Sequence, residues 1–139
     1  LDYRKREKYS SPMPNYSYVR LYADENGEFH FEDVSGEMIP TDFAPPAPIT
    51  FTGCHRREKT ALFFSAPPNW DAKWHPVPAH QFLAFLKGDY EVEASDGEKR
   101  LFGPGDLILA EDVTGKGHYS KLIGTGEGNL ILVTQLDES

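Results

Sequence analysis

Cysteine is almost missing from this chain. The single Cys54 among 139 residues excludes an internal disulfide and any zinc site built on several thiolates. Long apolar runs are missing too: nothing approaches the roughly 20 residues that a helical bilayer crossing needs. The opening residues lack the basic start, apolar block and small-residue cleavage site of a secretion signal. A cytosolic protein is therefore expected. Basic residues are scarce, with Lys+Arg 14 against Asp+Glu 22 and a formal charge of −8. Nucleic acid and anionic membranes both attract basic surfaces, so neither is expected as a partner. Repeats and low-complexity tracts are absent as well. So is a helical period: no stretch carries apolar residues at a 3.6-residue spacing for long enough to specify a helix.

What the chain does have is a period of two. Tyr16, Tyr18, Arg20 and Tyr22 alternate with Ser17, Val19 and Leu21, as a strand requires. Glu25-Asn26-Gly27 signals a turn. Phe29, Phe31 and Asp33 then alternate with His30, Glu32 and Val34, so the two runs read as a hairpin. Residues 40–48 (PTDFAPPAP) hold four prolines and are expected to cross in extended form, outside any central strand. Strands are expected over 49–51 and 60–65, flanking a charged turn at 56–59. Pro67-Pro68-Asn69 breaks the chain before a short stretch with Trp70, Trp74 and His75. From Gln81 strands follow densely, over 81–88, 89–94, 99–102, 107–110, 118–123 and 129–136. About ten short strands between Gly/Pro turns argue an all-β sandwich or barrel. Residues 1–15 read as an arm and 16–139 as one domain.

Three pieces between Trp74 and Leu136 carry a family likeness. They are His75 through the strand ending in Leu86-Lys87-Gly88, the turns Asp96-Gly97-Glu98 and Gly103-Pro104-Gly105-Asp106, and Gly115-Lys116-Gly117-His118. This half of the chain resembles the cupin superfamily. The resemblance implies a double-stranded β-helix, the jelly-roll barrel, with the earlier hairpin as extra N-terminal strands and a homodimer as the assembly. The fold alone names no reaction.

The resemblance also implies a metal position, and there this chain departs from the family pattern. Counting from Gly88, His75 and His118 match two ligands, Gln81 stands where the family has Glu, and Val77 replaces a second early His. Two imidazoles and an amide form a thin site for iron, manganese, nickel, copper or zinc. His80 is a substitute ligand only if it faces inward in place of Gln81, because neighbouring strand residues face opposite ways. Cys54 and His55 are adjacent and split for the same reason, and His30 is expected to face solvent.

Alternation from Gly88 predicts the inward-facing residues: Gln81, Leu83 and Phe85; Tyr90, Val92 and Ala94; Ile108 and Ala110; His118, Ser120 and Leu122. Trp70 and Trp74 are expected near the mouth. The candidate acid–base set is His75 and His118, with Tyr90 and Gln81 to bind a developing oxyanion or orient the substrate. Trp74, Leu83, Phe85, Val92, Ile108 and Ser120 are the candidate substrate contacts. Three functions remain open at this level. One is an enzyme acting on a small, partly apolar molecule by dehydration, isomerisation, cyclisation or decarboxylation, metal-free or with a weakly held metal. The others are a non-catalytic small-molecule binder and a metal-dependent dioxygenase. The alternating tyrosines read as a face buried in the dimer, not as a stacking platform for nucleic acid.

Overall fold

The computed structural model describes residues 13–111, 113–123 and 128–137, so most of the arm expected at 1–15 lies outside the described residues. Twelve strands and no helix are present among them: β1 (Asn15–Ala23), β2 (Phe29–Glu37), β3 (Ile39–Thr41), β4 (Thr50–Thr52), β5 (Glu58–Phe64), β6 (Asp71–His75), β7 (Gln81–Lys87), β8 (Tyr90–Ala94), β9 (Lys99–Phe102), β10 (Leu107–Ala110), β11 (His118–Leu122) and β12 (Leu130–Leu136). Among the described residues no helix is long and apolar enough to cross a membrane. The protein is all-β. Its sheets are three, with six strands in the order β2-β1-β10-β7-β12-β5, four in the order β6-β11-β8-β9, and the pair β3-β4. Each sheet is open; the alternation led to the expectation of a sandwich or barrel, and the resemblance to that of a jelly-roll barrel.

The chain divides into two compact units, with boundaries after Ser17, Asp33 and Arg56. The smaller holds the β3–β4 ribbon. Pro40 lies within it, opposite Phe51, extended and outside any central strand, as the proline run was expected to be. A two-stranded ribbon has only edge strands, which tolerate a missing N–H donor. In the same unit the Tyr16 ring occupies the space where Cβ atoms at Gly36 and Gly53 would sit.

The larger unit holds the core. Along β8, Tyr90, Val92 and Ala94 are buried while Glu91 and Glu93 are not. Ile131 and Val133 do the same on β12. Phe29 is fully buried and Tyr90 nearly so, and both join one cluster with Phe31, Phe85, Phe102 and Ile108. Each large apolar side chain buried in this way contributes about 1.5–3 kcal/mol from water exclusion. The Gly103-Pro104-Gly105-Asp106 turn is tied to β7 through Phe85. The Phe85 N–H donates to the Asp106 carbonyl at 3.0 Å and the Gly105 N–H to the Phe85 carbonyl at 3.0 Å. That tie explains the register from which inward-facing residues are counted. The tyrosines of this unit have partners within the chain: Tyr18 meets Phe82 edge-on at 5.5 Å, and Arg20 lies over the Tyr22 ring at 4.0 Å.

Candidate functional site

A cavity of about 410 Å³ lies inside the larger unit, within the usual range for small-molecule sites. The six-stranded sheet supplies Gln81, Leu83 and Phe85 from β7, Ile108 and Ala110 from β10, and Ile131, Val133 and Gln135 from β12. The four-stranded sheet supplies His75 from β6, Tyr90 and Val92 from β8, and His118 and Ser120 from β11. Nine expected inward-facing residues thus line one space: Gln81, Leu83, Phe85, Tyr90, Val92, Ile108, Ala110, His118 and Ser120. Ala94 and Leu122 are buried in the core instead. Among the described residues, the lining includes no Asp, Glu, Lys or Arg.

The two histidines meet because their strands pair. His118 is directly opposite His75 in the β11–β6 ladder, which puts both side chains on one face. Their ring centroids are 4.4 Å apart, inclined at 54°. Gly117 permits the approach: a Cβ there would lie 2.6 Å from the His75 carbonyl oxygen and 2.7 Å from its carbon. His118 is 7% exposed and stacks on Phe29 at 5.8 Å. Its Nδ1 is buried with no hydrogen-bond partner among the described residues. Burial, and secondly the nearby His75, pushes its pKa down to about 3. His118 is therefore a neutral imidazole at physiological pH. A bare Nδ1 lone pair is the cheaper orphan, so the proton belongs on Nε2. In His75 the tautomer is reversed. Its Nδ1 donates to the Lys73 carbonyl at 2.9 Å, which leaves Nε2 as an acceptor in the neutral ring. One wall of the cavity thus offers a donor beside an acceptor.

Several expectations need correction. The Tyr90 hydroxyl donates to Asn129 Oδ1, so its proton is not available to a ligand. Burial raises its pKa further above the ordinary phenol value. Asn129 is itself fixed, accepting the Ala66 N–H at 2.8 Å and donating to the Ala66 carbonyl at 2.8 Å. Gln81 Oε1 accepts from Gln135 Nε2 at 3.3 Å, so its amide orients against a neighbour and not only toward a substrate. His80 is not part of the lining; its backbone carbonyl accepts the Leu136 N–H instead. Trp74 also fails to line the cavity. It is 49% exposed and packs edge-on against Tyr119 at 5.7 Å, because the residue beside an inward-facing His75 faces outward. Trp70 does line the cavity, meeting Phe64 at 5.7 Å.

Away from the cavity, His30 lies near the surface, half-buried between two carboxylates. Its Nδ1 lies 2.8 Å from Asp96 Oδ2 and its Nε2 2.8 Å from Asp24 Oδ2. Cys54 is half-buried, and His55 pairs with Thr52 Oγ1 at 3.0 Å. Two polar residues at the cavity, Gln135 and Asn129, escaped sequence reasoning, as did lining residues Leu21, Leu62, Phe64, Ile131 and Val133. Alternation along β12 from Ile131 and Val133 points to Gln135, whereas nothing local marks Asn129.

The donor set does not fit a tightly held divalent ion. Val77, where the resemblance would place a further ligand, is apolar and buried. Gln81 Oε1 is already bonded, and no carboxylate lines the cavity among the described residues. No group of three His, Cys, Asp or Glu is placed to bind a metal among those residues. Two imidazoles alone leave the ion's charge unbalanced and its coordination incomplete.

No protein-family model matches the chain, and no curated protein does. One solved structure with similarity is a conserved protein of unknown function from Streptococcus pyogenes. It is 19% identical, with a TM-score of 0.40, over 61% of this chain and 70% of that one.

Proposed function

We propose that this protein holds a small, uncharged, largely apolar organic molecule in the cavity and moves a proton on it. His75 Nε2 accepts the proton and neutral His118 donates a hydrogen bond to the oxygen where charge develops. The reaction class is dehydration, isomerisation or another step that begins by removing a proton next to a carbonyl. The cupin-type jelly roll belongs to the same reading, supported by the glycine-rich turns and the position of the two histidines. The single observation that carries the function is the opposed His75–His118 pair, 4.4 Å apart, in a largely apolar cavity with no charged side chain in its lining among the described residues. Two titratable groups of one type, held in different tautomers, are suited to different roles. A lining without ionised side chains selects against phosphates and carboxylates, whose burial costs too much without a counter-charge.

The alternative is a binding module without turnover. The commitment of Tyr90 to Asn129 and of Gln81 to Gln135 favours it, since both polar groups are already satisfied within the chain. One experiment separates the two. The probes are 2-tetralone, a neutral ketone, and the similarly sized 2-naphthoate. Binding is read by the tryptophan fluorescence of Trp74→Phe protein, in which only Trp70 emits, and hydrogen–deuterium exchange next to the ketone by NMR. Saturable tetralone binding at least about tenfold tighter than naphthoate, abolished by Ser120→Phe, supports the cavity reading. Exchange lost in His75→Gln supports the enzyme, and binding without exchange supports the module. Equal affinity for both probes, or binding indifferent to Ser120→Phe, overturns the cavity reading.

A further inference from the structure

Three residues of β6 run against two of β11. Trp74 is opposite Tyr119, but Asp71 is opposite Lys121. The extra residue forms a β-bulge, a device that leaves a backbone group outside the ladder and re-aims the neighbouring side chain. Within it Lys73 has φ 59°, a left-handed conformation that a residue with a Cβ adopts only when its surroundings enforce it. The enforcing contacts are on the outer face of the sheet. Asp71 Oδ1 accepts the Lys73 N–H at 3.0 Å, and Asp71 Oδ2 accepts the Tyr119 hydroxyl. Trp74 braces the Tyr119 ring edge-on. With Lys73 turned this way, its carbonyl receives the His75 Nδ1 proton at 2.9 Å.

We infer that Asp71 and Tyr119 are positioning residues: by holding Lys73 in its left-handed bulge they fix the tautomer and ring orientation of His75. Neither touches the cavity. They act through one backbone carbonyl, as outer partners of a functional imidazole commonly do. The Asp71 carboxyl is well prepared for the task. The Tyr119 hydroxyl, and next the Lys73 amide, lower its pKa below the ordinary carboxylate value, so it remains an acceptor through the neutral range. The importance of this device for turnover rests on the proton-acceptor reading of His75, but its geometry does not.

The test reads the tautomer directly, with no ligand added. Protein labelled with ¹⁵N-histidine is examined by long-range proton–nitrogen NMR at about pH 8, where an unperturbed imidazole is neutral. The His75 signals are assigned by their loss in His75→Gln. The wild-type ring is expected in the Nδ1–H form. In Asp71→Ala that form becomes the minor one, while the His118 and His30 signals keep their positions. Asp71→Asn retains an acceptor oxygen for the Lys73 N–H and restores most of the wild-type pattern. Tyr119→Phe falls between them. Asp71 is exposed, so the fold is expected to survive, and the unshifted His118 and His30 signals report that it has. An unchanged Nδ1–H tautomer in both Asp71→Ala and Tyr119→Phe overturns the inference. Loss of probe binding in wild-type protein would instead remove the functional reading and leave this one standing.

Discussion

His118 lies in the cavity wall with Nδ1 sealed and unpartnered, whereas His30 lies on the β1–β2 hairpin with both ring nitrogens against carboxylates. Both belong to the larger unit, and both start from the same intrinsic basicity. Their surroundings separate them. Burial removes the hydration that a charged ring needs, and nothing near His118 replaces it, so its pKa falls to about 3. Hydrogen bonds to Asp24 and Asp96 favour the charged ring of His30, so its pKa rises. Only an imidazolium can donate through both nitrogens. His118 therefore carries a stability cost suited to a site, and His30 a stabilising link between the β1–β2 turn and the β8–β9 turn. The comparison teaches that burial without a partner and partners without deep burial push one side chain in opposite directions.

The largest expected effect comes from closing the gap that lets the cavity pair meet. Gly117→Ala would put a Cβ 2.6 Å from the His75 carbonyl oxygen, at φ 92°. A strained conformation plus a backbone collision is expected to cost about 3 kcal/mol. The His30 side of the comparison should not feel it. Thermal unfolding measures the loss, and histidine NMR checks that His30 keeps its signals while His118 moves. A variant with wild-type stability would mean that Gly117 is not in contact with β6.

A smaller effect, of opposite sign, follows from removing the orphan. His118→Leu is expected to stabilise the protein by about 1 kcal/mol at neutral pH, because an unsatisfied buried polar atom disappears. The pH dependence sharpens the case. With the folded pKa depressed, the unfolded state takes up a proton first as pH falls. Stability is thus lost from the ordinary imidazole value downward until the folded value near 3 is passed. Near pH 5 that loss is about 2 kcal/mol in the wild type and absent in the variant. Urea unfolding of both proteins across pH 5 to about 8 measures the divergence. Parallel curves would remove His118 as the buried neutral histidine. Binding of the ketone probe should fall as stability rises, the trade expected where a site is kept at the expense of the fold.

Much of the fold was legible because period-two alternation follows directly from strand geometry. Counting from Gly88 located both histidines, Gln81 and the apolar lining from β7, β8 and β10, but not that from β1, β5 and β12. The same rule, applied to Trp74, would have turned it away from the cavity once His75 was placed inside. What stayed hidden depends on partners far away in sequence. Tyr90 looked like a ligand group until its hydroxyl was found donating to Asn129, across a separation of 39 residues. The β6 bulge has no glycine to announce it; Lys73 is forced into place by Asp71 and Tyr119. Pro40 marked a barrier to a central strand but not to a two-stranded ribbon. The openness of the sheets was equally hidden, because alternation specifies faces and not closure.

The smallest effect tests the other half of the comparison. In His30→Gln the links to Asp24 and Asp96 lose their charge. Because the folded pKa of His30 is raised, its contribution is fully present below the ordinary imidazole value and disappears as pH climbs through the raised one. Asp24 has the complementary sign: its pKa is lowered, first by His30 and then by the Glu28 amide. Its contribution holds above the ordinary carboxylate value and disappears on acidification. The two overlap between these limits, so the wild type should exceed His30→Gln most at about pH 5 and by less at about pH 9. Both groups are near the surface, so salt should shrink the difference as well. Melting temperatures of the pair at those two pH values, in low and high salt, decide the matter. A difference that is constant in pH would show that His30 packs as a ring and not as a charge, and the contrast with His118 would then be one of burial alone.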